Sequence, residues 1–130
     1  MANTLKPIPR SLLKDSAIVK VCVEVDDWQN PTWQEYAVSN VHLQNTNEVK
    51  KTRDNTEVVL RSILFIDGSR SKPALNYDAL MTQSEAAGKP LRVVVSNYAG
   101  AELGDFEVKV CDPVPDIPAT RTHHIELGLV

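Results

Sequence analysis

The chain has 130 residues, with 14 basic and 17 acidic side chains and a net charge of −3. That is the size of one domain, which hides roughly two-thirds of its unfolded surface and needs no disulfide or metal staple to hold a core. The small acidic excess argues against a sequence-independent nucleic-acid binder, and no apolar run reaches the roughly 18 residues of a membrane span.

Residues 1–17 read as an arm followed by a polar cap. Pro7 and Pro9 hold Lys6 and Ile8 extended, because a residue before proline avoids the helical region. Ile8, Leu12 and Leu13 give the arm apolar surface with which to dock. The segment lacks the apolar stretch of a secretory signal, so Cys22 and Cys111 are expected as reduced thiols.

Residues 18–25, IVKVCVEV, alternate with a period of two and predict a strand with Val19, Val21, Val23 and Val25 on its buried face. DDWQNPTWQ at 26–34 is a turn, because Asp and Asn side chains bond their own backbone and Asn30-Pro31 initiates turns. Residues 35–43 resume the alternation. Tyr36 and Val38 fall out of phase with Val41 and Leu43, which predicts a bulge or a switch of environment near Ser39-Asn40.

Residues 41–67, VHLQNTNEVKKTRDNTEVVLRSILFID, begin apolar, turn polar and charged, then return as the most apolar run of the chain. The pattern predicts a long β-hairpin whose tip, 44–57, projects. Residues 57–66 are apolar on both faces, which predicts a central strand or one covered by another subunit. A short helix is expected at 78–87, with Leu75, Ala79 and Leu80 near one face and Gly88 and Pro90 stopping it. Strands follow at 91–98, at 106–111 with Phe106, Val108 and Val110 inward, and at 123–130 with Ile125, Leu127 and Leu129 apolar. The three prolines of 112–118 argue against a central strand there. About six strands, at most one short helix and no βαβ rhythm define a mainly β chain, a small antiparallel β-barrel or sandwich in a single domain, 1–130.

No catalytic constellation is visible, so the chain is read as no enzyme, with no cofactor and no metal. His123 and His124 are adjacent, and neighbouring residues of a strand point to opposite faces. His124 and Glu126 share a face that His42 could approach, but a zinc site needs at least three ligands held together, and the group is read as cross-strand polar partners on a wet or interfacial face. Asp26, Asp27 and Asn30 lack the spacing of a calcium loop. Trp28 and Trp33 could stack on a sugar, as in a carbohydrate-binding β module, or form a docking loop for another protein. The tip residues Asn47, Glu48, Lys50, Lys51, Arg53 and Asp54 read as an assembly surface, because a compact monomer has no use for so long a polar turn.

IPRSLLKDS before the first strand, the 40–67 hairpin and the closing HHIELGLV together resemble the minor capsid proteins of tailed bacteriophages and prophages. These are taken to be head-completion, or stopper, proteins of the head–tail connector. The resemblance spans residues 8–130 and implies a small β-barrel with no catalytic residues. It implies a homo-oligomeric ring of six or twelve copies in the virion neck, made in the bacterial host cytoplasm. The implied partners are portal or adaptor proteins on the head side and a tail-terminator or tail-tube protein on the tail side. Packaged DNA would be touched non-specifically at most, and no membrane is involved. Residues 44–57 match the loop that such proteins extend toward the channel. An adaptor or tail-terminator subunit of the same neck is the alternative within this resemblance.

Overall fold

The computed structural model describes residues 9, 11–52, 54–68, 70–115 and 122–130. Most of the predicted arm (1–8 and 10), tip residue Arg53 and the end of the proline segment (116–118) lie outside them.

The chain is mainly β, with one short helix. The strands are β1 (Asp15–Val25), β2 (Pro31–Asn45), β3 (Val49–Lys51), β4 (Glu57–Val59), β5 (Ser62–Asp67), β6 (Arg92–Ser96), β7 (Glu102–Pro115) and β8 (Thr122–Leu129). Six of them close into one antiparallel ring in the order β1-β2-β5-β8-β7-β6, and among the described residues β3 pairs only with β4. Closure removes the free edges that an open sheet of this size would expose. The interior is filled from every strand, with Val19, Val21, Val38, Val41, Leu64, Ile66, Val93, Val95, Phe106, Val108, Leu127 and Leu129 all buried.

Three bulges decide which side chains enter that interior. On β2, Asp15 pairs with Val41 but Ala17 with Val38, so β2 carries one extra residue at Ser39-Asn40. Asn40 takes a positive φ of 58° there. The extra residue turns the phase, so that Val38 and Val41 are both buried. On β1 the register slips between Cys22 and Glu24. Val23, predicted to be inward, is therefore 43% exposed, while Cys22 is fully buried. On β7 the register slips between Val108 and Val110. Val110, also predicted to be inward, now lies against the outward site of Gly128, and Cys111 packs on the core instead. A bulge offsets the alternation by one residue, which no count of apolar periods foresees.

The helix α1 (Tyr77–Ala87) forms where expected. Asn76 caps its start by accepting from the Ala79 amide, and Gly88 ends it at φ 114°. Its buried stripe is Tyr77, Met81 and Ser84, at i, i+4 and i+7, while Ala79 faces solvent. The predicted Leu75-Ala79-Leu80 face thus contributes only Leu75 and Leu80, both partly buried. The Ser84 hydroxyl accepts from the Cys22 amide at 2.9 Å, fixing α1 against β1.

The segment of β7 carrying Pro113 and Pro115 does continue as a strand, paired to β8 through Pro115↔Thr122. β6 stops at Arg92 opposite Glu107 and the Val108 amide still donates to the Leu91 carbonyl, but beyond Val108 the described residues pair β7 on one side only. Two prolines spaced by two place both nitrogens on one edge, here the uncovered one, so no ladder bond is lost. They also guard that edge against strange strands.

Candidate functional site

The 41–67 hairpin is present, but its long arm is two strands rather than one. β2 and β5 pair from Val41↔Ile66 to Asn45↔Ser62. The chain then steps outward through Leu60 and Arg61. Beyond them β3 and β4 pair as a separate ribbon, Val49↔Val59 to Lys51↔Glu57. The Leu60 amide donates to the Glu48 carbonyl at 2.9 Å and the Arg61 amide to the Leu129 carbonyl at 2.8 Å, holding the step.

Leu60 explains the second apolar face of the 57–66 run. It is 2% exposed although it lies outside the barrel. A Cβ added at Gly128 would stand 2.9 Å from the Leu60 Cδ1 and 3.1 Å from the Val110 Cβ. Glycine at 128 therefore opens a notch in the outer wall, and Leu60 fills it beside Val110. The residues Leu60, Ile63, Val110 and Gly128 make a small outer apolar cluster, rimmed by Lys50, Asp112 and Glu126. Ile63 is covered by the protein's own hairpin base, and no second subunit is required there.

Beyond Leu60 the ribbon leans along β7. Lys50 Nζ is 3.8 Å from Asp112 Oδ2, with both side chains about half exposed. An exposed pair of that length contributes about 0–1 kcal/mol. Thr52 and Asp54 share with Glu85, Pro90, Val108 and Lys109 a groove of about 260 Å³ between ribbon and barrel. At the turn, Asp54 accepts from the Thr52 hydroxyl and, at 3.3 Å, from the Thr56 amide. Those bonds, Thr52's first, lower its carboxyl from the ordinary aspartate range. On the ribbon's far face, Val49 and Val59 are 58% and 61% exposed. Asn47, Glu48, Lys51 and Asp54 are exposed and Lys50 is half-buried. The structure thus brings the described tip residues into one ribbon, anchored at its base and open at its end.

A row of outward side chains crosses the wall beneath the ribbon: His42 opposite Phe65, Phe65 opposite Glu126, Glu126 opposite Asp112. The His42 and His124 rings flank Phe65 at 6.0 and 6.2 Å. Contrary to the simple strand rule, His123 and His124 meet. Their Nδ1 atoms are 2.8 Å apart. The β7–β8 register slips between Val114 and Pro115, leaving one extra residue at His123, and the bulge swings its ring toward its neighbour. His124 Nε2 is 3.0 Å from Glu126 Oε2. Among the described residues no group of three or more His, Cys, Asp or Glu is placed to hold a metal ion. No helix among them is long and apolar enough to cross a membrane.

The two tryptophans have different settings. Trp28 is 84% exposed at the tip of the β1–β2 turn. Trp33 is half-buried in β2, with Lys20 Nζ 6.0 Å from its ring centroid.

No protein-family model, curated protein or solved structure matches the chain.

Proposed function

We propose that the chain is a structural subunit of the head–tail connector of a tailed bacteriophage or prophage. In this reading it is a stopper or head-completion protein, closing the portal channel after DNA packaging and docking the tail. The observation that carries the reading is the β3–β4 ribbon. It is anchored to the barrel by Leu60 yet holds the Val49/Val59 pair open to water, with charges on both strands. A monomer gains nothing from such a pair, whereas a subunit of a ring presents one patch to a different patch of its neighbour. The hairpin and closing strand that carry the resemblance to connector proteins supply the identity of the assembly. The His42–Phe65–Glu126–Asp112 row is read as wall and interface chemistry rather than as an active site.

The test is a deletion of residues 47–55, which keeps Leu60 and the Gly128 notch but removes Glu48, the acceptor of the Leu60 amide, and the rim residue Lys50. The expected outcome is a folded, soluble monomer together with loss of DNA-filled, tail-bearing particles by electron microscopy. Normal infectivity with the deletion would overturn the proposal.

A further inference from the structure

The β1–β2 turn is built to hold one side chain in water. Asp26 Oδ1 accepts from the Trp28 and Asn30 amides, each at 2.9 Å. The Asp26 amide donates to the Asn30 carbonyl at 3.1 Å and the Gln29 amide to the Asp26 carbonyl at 3.0 Å. Gln29 completes the turn at φ 66°. The conformation is fixed, and the indole of Trp28 stands at its apex, 84% exposed. A large, stiff amphipathic ring presented this way has the form of an interface anchor, which gains contact area at little entropic cost.

The charges on this end of the ribbon are mostly acidic, with Lys20 the exception. Glu24, Asp26, Asp27 and Glu35 are all exposed on this end of the β1–β2 ribbon. Among the described residues none of the four joins a salt bridge. Lys20, the cross-strand partner of Glu35, lies over Trp33 instead. Unneutralised carboxylates repel one another, and a cationic surface relieves that repulsion on contact.

We infer that Trp28 is the anchor of a docking surface for a protein partner that offers an apolar pocket rimmed by Lys and Arg. This names the chemistry of a partner and rests on the assembly role proposed above. Its direct test does not depend on phage particles.

In the full chain carrying Trp33→Phe, Trp28 is the single tryptophan, and its emission reports on its own surroundings. The probe is a synthetic Lys/Leu helical peptide with one cationic and one apolar face, set against a Glu/Leu counterpart. The expected result is a saturable blue shift with the basic peptide alone. Its affinity should fall about tenfold or more when salt is raised tenfold. In the native sequence, Trp28→Ala should weaken binding of the labelled basic peptide about tenfold or more. No saturable shift, equal binding of the acidic peptide, or unchanged binding by Trp28→Ala overturns the inference. Peptide binding alongside normal infectivity of the 47–55 deletion removes the connector reading and leaves this one standing.

Discussion

The barrel wall and the ribbon that grows out of it are made from the same kind of sequence and meet opposite fates. Val41, Leu64 and Ile66 are at most 4% exposed, while Val49 and Val59 are 58% and 61% exposed. All five are β-branched or aliphatic residues at strand positions of one hairpin. The difference is the second layer. Wall strands face an interior filled from five other strands, whereas among the described residues β3 and β4 pair only with one another and lean on the outside of β7. A two-stranded ribbon is marginal in water by itself. Here it persists because Leu60 plugs its base into the Gly128 notch. Stability therefore resides in the wall, and the ribbon's open end is left for other contacts.

Leu64→Ala gives the largest expected effect. It removes a fully buried side chain at the centre of the wall. A loss of about 3–5 kcal/mol is expected by denaturant unfolding, with wall and ribbon amides losing exchange protection together. Leu60→Ala should cost less, about 2 kcal/mol, because the outer notch opens to water instead of leaving a sealed cavity. Its signature is regional: hydrogen exchange of the Leu60 amide rises while β6 and β8 stay protected. Cooperative unfolding of the whole chain by Leu60→Ala would break the comparison and make the ribbon base part of the core.

Tyr77→Phe is the smallest change and has the opposite sign. The Tyr77 hydroxyl is buried without a hydrogen-bond partner among the described residues. Burial, and secondarily Cys111, raises its pKa from the ordinary value near 10. A raised acid favours the neutral form, so its contribution is intact below about pH 10, where both states are neutral. Above that, the unfolded phenol ionises first and stability falls with rising pH. The phenylalanine variant should gain about 1 kcal/mol at neutral pH and lose the part of the alkaline decline due to Tyr77. Identical stability–pH curves for the two proteins would show that the hydroxyl is solvated or paired in solution.

Much of the fold was legible because two periods dominate the chain. The alternations in β1, β7 and β8, the Asp26 turn and the helix between Asn76 and Gly88 depend on near neighbours alone. A break at Ser39-Asn40 was legible too, since Tyr36 and Val38 visibly fall out of phase with Val41 and Leu43, but the phase alone did not separate a bulge from a switch of environment, and the strand pairing decided for the bulge. The slips at Val23, Lys109 and His123 left no such mark. Each is imposed by the pairing of a distant strand. The meeting of His123 and His124, the outward turn of Val110 and the burial of Cys22 all follow from them.

The sequence by itself determined a mainly β chain, its one helix, and a hairpin with an apolar base and a polar tip, because local backbone preference and apolar period carry that information. Only the tertiary structure decided that six strands close into a ring. Only it decided that the twice-apolar run 57–66 breaks at Leu60 to grip its own outer wall, and that Trp28 stands open while Trp33 lies beneath Lys20. Those outcomes depend on which strands become neighbours, and strand pairing is a contest among distant segments that no local window contains.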